Sequence, residues 1–268
     1  MEDKNLIERI VVPRHIGDIT YTGSAFGSGT YEEIGKQILE KGHRVPTGDL
    51  SISLIHAAYF DDTVKNTLDA KNIRDILEMK VAGKGGYAIY NRNICTFEGV
   101  YVVQDEGVQG VQAPFNIEEI EDNLLGGDTE LGVRFSQDRK VRFAPRSSFY
   151  MPMNSYRRAY SAISHHTHAT LECDGLVIAS FGPEGAKQLA EISSVFNGNP
   201  RIGNNFSSTG ETGQITKGVT YLGTSSSEDK KRNSIFLNLR ECFSLPFAFG
   251  VTDVDEFDSS KERCKNGK

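Results

Sequence analysis

At 268 residues, with 38% hydrophobic and 25% charged side chains and a formal net charge of −6, the chain can bury a sizeable core without disulfide or metal staples. Its acidity excludes a global attraction to nucleic acid or anionic lipid. No run approaches the roughly 18 apolar residues of a membrane span, and "MEDKNLIERIVV" lacks a signal peptide's uninterrupted apolar core, so a cytoplasmic protein with no membrane partner is expected.

In chain order, "IVVP" and "DITYTG" predict two strands, followed by the glycine-rich "GSAFGSG". Thr30 opens a helix with a capping box, since its hydroxyl can reach the amide of Glu33 and that carboxylate can reach back. Tyr31, Ile34 and Ile38 fall on one face, and Gly42 is a natural stop. A second helix over about 49–59 is apolar nearly all round and therefore buried. A third spans about 69–79, with Ile73, Ile76 and Leu77 facing inward. "GYAIYNRNICTFEGVYVVQD" reads as two apolar runs about an Asn-Arg-Asn turn. "NIEEIEDNLLGG" is a short helix capped by Asn116 and stopped by Gly126-Gly127. "ELGVRFSQDRKVRFAP" alternates as a hairpin. "GLVIASF" reads as a short strand, and "PEGAKQLAEISSVF" as an amphipathic helix with Pro183 at its first position. Residues 197–233 read as a long loop with strand character only in "ITKGVTYLG". "SIFLNLRECFSLPFAFGVTDV" returns to the core, and 258–268 is expected to be a disordered tail.

Two stretches, "GKQILEKGHRVPTGDLSISLIHAAYF" and "NIRDILEMKVAGKGGYAIYNRNICTFEGVYVVQDEG", resemble segments of a family of uncharacterised archaeal proteins. In that family a "PTG…SLLHAAY" helix precedes an "RDIM…NRN…GVYV.QD" block. The resemblance covers roughly residues 30 to 110, with weaker likeness at "VRFAPRSS" and "DGLVIASFGPEGA". It implies an archaeal-type cytoplasmic protein and carries over no activity and no site residue.

Three patterns bear on function. The first is His165-His166-Thr167-His168, half of the chain's six histidines. On a strand, His166 and His168 would share a face and could reach one metal. Neutral imidazoles suit zinc, which needs three or four protein ligands. Cys173 and Asp174 lie near enough to add to the set, and His56 or His43 could arrive from elsewhere. No H-E-x-x-H accompanies them. The bland reading is a solvent-facing segment beside a loop.

The second is a basic and aromatic block from Arg134 to Arg158. It contains Arg134, Arg139, Lys140, Arg142, Arg146, Arg157 and Arg158 against the lone Asp138, with Phe149, Tyr150, Tyr156 and Tyr160 interleaved. Seven basic residues and one acid make a local net charge of +6 in an acidic chain. Arginine forks and aromatic planes suit phosphates and unpaired bases. A two-residue period puts Arg134 and Arg142 on one face of the hairpin. The bland reading is internal pairing with the chain's surplus carboxylates.

The third is a pair of helix starts, "TGSAFGSGTYEEIG" and "ASFGPEGAK". Both lack the dinucleotide and P-loop spacings, and both carry first-turn carboxylates that would repel a phosphate. The four cysteines form no C-x-x-C pair, which argues against a zinc ribbon or a thioredoxin-type motif. There is no G-x-S-x-G elbow, though Cys173, beside Asp174 and near three histidines, could make a Cys–His pair. His56 reads as a hydrogen-bonded core histidine, and the acidic helix at Glu118, Glu119, Glu121 and Asp122 as a solvated face.

The expected fold is α+β: N-terminal helices packed on a largely antiparallel sheet, with one late β-α unit, as a single domain over 1–257. Three functions follow. The leading one is a soluble protein binding an anionic partner, nucleic acid or phosphate-bearing ligand, through Arg134, Arg142, Arg146, Arg157, Arg158 and Tyr156. The alternatives are a metal-dependent hydrolase, zinc being the natural metal, held by His166, His168 and Cys173, and an interaction protein without catalysis.

Overall fold

A computed structural model describes residues 9–14, 17–27, 29–80, 86–149, 162–204, 215–226, 233–240 and 246–252. The expected tail at 258–268 lies outside them, as do Tyr156, Arg157 and Arg158.

The helices begin where the side chains can satisfy free amides. In α1 (Tyr31–Glu40) the Thr30 hydroxyl accepts from the Glu33 amide at 3.2 Å, and the Glu33 carboxylate accepts from the Thr30 amide at 2.8 Å. The capping box is therefore complete. The helix ends at Gly42, whose φ of +77° the missing Cβ permits. Helix α2 (Gly48–Phe60) is buried almost all round, α3 (Leu68–Leu77) is capped by Thr67, and α4 (Ile117–Leu125) by Asn116. All four follow the sequence reading.

Among the described residues, nine strands form one sheet: β3 (Tyr87–Cys95), β4 (Gly99–Gln104), β5 (Asp128–Glu130), β6 (Val133–Phe135), β7 (Val141–Pro145), β8 (Ala162–His165), β9 (Arg201–Asn204), β10 (Thr216–Ser226) and β11 (Asn233–Arg240). Their order is β5-β6-β7-β4-β3-β10-β11-β9-β8, and only β11 with β9 is parallel. A smaller sheet joins β1 (Arg9–Val12), β2 (Ile19–Thr22) and β12 (Val251–Thr252). The protein is thus α+β with a largely antiparallel sheet. One sheet face carries Ile89, Cys95, Val100, Val102 and Phe135 into a core shared with α2 and α3. The other face is covered in two patches. Tyr90 and Val219 meet Tyr31, Ile34 and Ile38 of α1, while Ile94, Tyr101, Val141 and Phe143 meet Ile120 and Leu124 of α4.

Three sequence expectations are corrected. First, Asn91-Arg92-Asn93 is no turn: β3 runs through it, and the chain reverses at Thr96–Gly99 instead. Second, "GLVIASF" is helical. It forms the first half of α6 (Gly175–Ser194), started by Asp174, whose carboxylate accepts from the amides of Leu176 and Val177. The helix kinks at Gly182 (φ +74°, ψ 168°), and Pro183 then starts its second half as expected. The late β-α unit exists, but its strand is β8, which leads through α5 (His168–Leu171) into α6. Third, the 197–233 stretch carries β9 as well as the longer β10.

The first two corrections have one cause. Pro183 has no amide to give Ala179, and the kink also frees the Ser180 carbonyl. Arg142 Nη1 donates to Ala179 O at 3.2 Å, and Asn91 Nδ2 donates to Ser180 O at 2.8 Å. The polar residues buried in β3 and β7 thus satisfy the broken helix packed over them.

Candidate functional site

Strand β8 ends at His165, so the His-rich stretch leaves the sheet where a continuous strand was expected. Thr167 caps α5 by accepting from the Thr170 amide, which makes His168 the first helical residue. His166 and His168 therefore do not share a strand face. His168 Nδ1 lies 2.8 Å from Ser193 Oγ of α6. His166 points elsewhere: its Nε2 sits 2.9 Å from Ser164 Oγ and 3.6 Å from Asp174 Oδ2, and its amide donates to Pro200 O. The side chain is 4% exposed. Burial, with the neighbouring His165 adding to it, pushes the imidazole pKa down to about 4. The Asp174 carboxylate lies beyond hydrogen-bond reach, its other oxygen committed to capping α6, and does not offset that burial. His166 is neutral at physiological pH.

His166 forms part of the wall of a cavity of about 570 Å³. Three separate segments build it: Ser147, Ser148 and Phe149 after β7; His165, His166, Thr167 and Thr170 around α5; and Cys173 with Asp174 at the start of α6. Gly175 permits the approach, because a Cβ there would stand 2.0 Å from Ser148 Oγ. Cys173 is exposed, whereas Cys95 is buried in the core with its thiol pKa pushed up to about 12 by desolvation. Cys173 thus shares the cavity with His166, as the three-residue metal set required, but His168 is not part of the lining. Among the described residues, no three His, Cys, Asp or Glu side chains gather where they could hold a metal ion. Sequence reasoning missed Ser147 and Ser148, which carry no spacing signal and reach the cavity only through the fold, and overlooked Ser164, whose two-residue spacing from His166 on a strand puts both on one face.

The basic block is arranged differently from the expectation. The register opposes Arg134 to Phe143 and Phe135 to Arg142, which puts the two arginines on opposite faces of the hairpin. Arg134 makes a bidentate pair with Glu121 at 2.9 Å to each oxygen, and its guanidinium lies 4.6 Å from the centre of the Phe143 ring. The pairing holds the Glu121 carboxyl below, and the Arg134 guanidinium above, its ordinary pKa. Arg142 turns inward, 3% exposed, onto Asp49 of α2 at 2.9 Å. Arg139 pairs with Asp128 and Glu130, and Lys140 with Glu106. Arg146 lies over the Phe97 ring at 5.3 Å.

The remaining candidates are structural. The capping box of α1 occupies that helix start with the Glu33 carboxylate, as the sequence implied, and the other helix start lies inside α6 at the kink. His56 is bonded to Glu191 Oε2 at 2.6 Å, but its side chain is 23% exposed, so it is no core histidine. Glu118, Glu119 and Asp122 face solvent, while Glu121 is the partner of Arg134. No helix is long and apolar enough to cross a membrane among the described residues. Compared with known proteins, the chain matches no family model, and no curated protein or solved structure matches it.

Proposed function

We propose that the protein is a small-molecule enzyme of the hydrolase or acyl-transfer class, with its reaction in the cavity beside His166. The observation that carries this reading is that an uncharged, firmly held imidazole and an accessible thiol share one concave site. A cavity of about 570 Å³ is of ordinary size for a small ligand, and a base beside a nucleophile is what covalent catalysis needs.

In this reading His166 takes the Cys173 proton. The thiolate attacks an acyl carbonyl, the bond to the leaving group breaks, and the imidazolium returns the proton to that group. Water, deprotonated by the same imidazole, then splits the thioester. Moving a proton onto so weak a base is costly by itself. The thiolate formed alongside stabilises the imidazolium that results. The hydroxyls of Ser147, Ser148, Thr167 and Thr170 suit a neutral, polar acyl substrate.

The anionic-partner reading has less support. Arg134, Arg139, Lys140 and Arg142 all have carboxylate partners within the chain. A zinc at His166 and Cys173 would need further ligands from outside the described residues.

The test is acylation by p-nitrophenyl acetate, followed by intact mass and peptide mapping. The parent should acquire one acetyl group on Cys173 with a burst of p-nitrophenol, and Cys173→Ala should lose both. His166→Gln should slow the burst by about a hundredfold or more, the usual contribution of a positioned base. Turnover by Cys173→Ala at the parental rate would sink the proposal.

A further inference from the structure

A neutral imidazole carries its proton on one ring nitrogen and a lone pair on the other. The two nitrogens of His166 have different surroundings. Nε2 lies 2.9 Å from Ser164 Oγ and 3.6 Å from Asp174 Oδ2. Nδ1 has no hydrogen-bond partner among the described residues. It is also not one of the fully buried atoms left unpaired, so it opens on the cavity that the ring lines.

The surroundings of Nε2 suit an N–H. Ser164 stands opposite Ile202 where β8 pairs with β9, and the Ile202 carbonyl is an acceptor for its hydroxyl at 3.4 Å. A hydroxyl has one hydrogen to give. Given to that carbonyl, it leaves the oxygen's lone pairs to accept from Nε2–H. Asp174 Oδ2 is likewise an acceptor, with no hydrogen for a lone pair on Nε2. We infer that Ser164 is a positioning residue: it holds His166 as the Nε2–H tautomer and leaves the Nδ1 lone pair as the base for Cys173. The role as base rests on the function proposed above, and the tautomer on geometry alone. In acylation the Cys173 S–H bond breaks and its proton goes to Nδ1. The same proton then leaves Nδ1 for the departing group, and the Nε2–H bond stays intact throughout. Ser164, 1% exposed, acts only through the ring that it orients, as the third group behind a base and nucleophile does.

The experiment is heteronuclear NMR of the full chain with its histidine ring nitrogens labelled, at neutral pH, the His166 signals being identified by their loss in His166→Gln. A ring nitrogen bearing a lone pair resonates well downfield of one bearing hydrogen. In the parent, Nδ1 should be the downfield nitrogen and Nε2 the upfield one, a result that needs no variant to fold. Ser164→Ala should draw the two signals toward one another and slow the p-nitrophenol burst about tenfold, since only the productive tautomer reacts. Ser164→Thr, which keeps the hydroxyl, should restore both. A downfield Nε2 in the parent, or signals unmoved by Ser164→Ala, would overturn the inference whatever the burst shows. The expected tautomer in a parent that gains no acetyl group on Cys173 would instead overturn the enzyme reading, and with it the positioning role, while the tautomer stood.

Discussion

At the residue scale His166 couples the site to stability. Its folded pKa of about 4 lies below the ordinary imidazole value of 6.5, so the unfolded chain binds the proton more tightly. The stability associated with the neutral ring is fully present above pH 6.5 and is lost as the pH falls toward 4. At about 1.4 kcal/mol per pH unit, the loss amounts to roughly 2–3 kcal/mol across that window. Urea unfolding between pH 7 and 4 should therefore show a slope that flattens in His166→Gln; equal slopes in the two proteins would show that the ring is not buried as described. This site was only half legible in the sequence. The histidines and Cys173 stood out by type, but their arrangement did not. Thr167 competes for the backbone by capping α5 and turns His168 away toward Ser193, and no spacing in the chain brings Ser147 or Ser148 to the cavity that His166 lines.

At the element scale, legibility followed the local forces. Helices α1 and α4 were readable because a capping side chain and a one-sided apolar stripe act within a few residues. Strand β3 and the first half of α6 were not, because their side chains are buried on every side. Residues 176–181 are all at most 1% exposed, and a run buried all round has no period to separate helix from strand. Asn91 and Arg142 look like turn and surface residues until the kink at Gly182 supplies the carbonyls they bind. Helix α2 approaches the same kink closely, since a Cβ on Gly48 would lie 1.9 Å from Ser180 O. Arg142 thus joins sheet, kink and α2 at once. Arg142→Met, which leaves the buried Ala179 carbonyl without its donor and a half-buried Asp49 without its cation, should cost about 1–3 kcal/mol. Arg134→Met, whose pair with Glu121 is about one-third exposed, should cost about 1 kcal/mol or less. Chemical denaturation of both variants checks this, and similar losses would mean that Arg142 is as replaceable as a surface arginine.

At the scale of the whole molecule, the last described segment closes the fold. Phe247 exchanges backbone hydrogen bonds with Gly86 and Ala88, Ala248 with Phe26, and Val251 with Arg44, while β12 adds to β2. Seven residues near the end of the chain therefore fasten β2, the turn after α1 and the start of β3. Phe249, 2% exposed and 6.3 Å from the Tyr87 ring, anchors them in the core. Such pairings span more than 200 residues of sequence, which is why the sequence shows only an apolar run there. Phe249→Ala should cost about 3–5 kcal/mol, as for other large core truncations. Ending the chain after Pro246 should remove this anchor together with the strand pairing, a loss comparable to the whole stability of an ordinary domain, about 5–15 kcal/mol. The truncated chain should show no cooperative melt by circular dichroism, whereas Phe249→Ala should melt cooperatively at a lower temperature. A truncated chain melting at the parental temperature would show that the small sheet holds without its last strand.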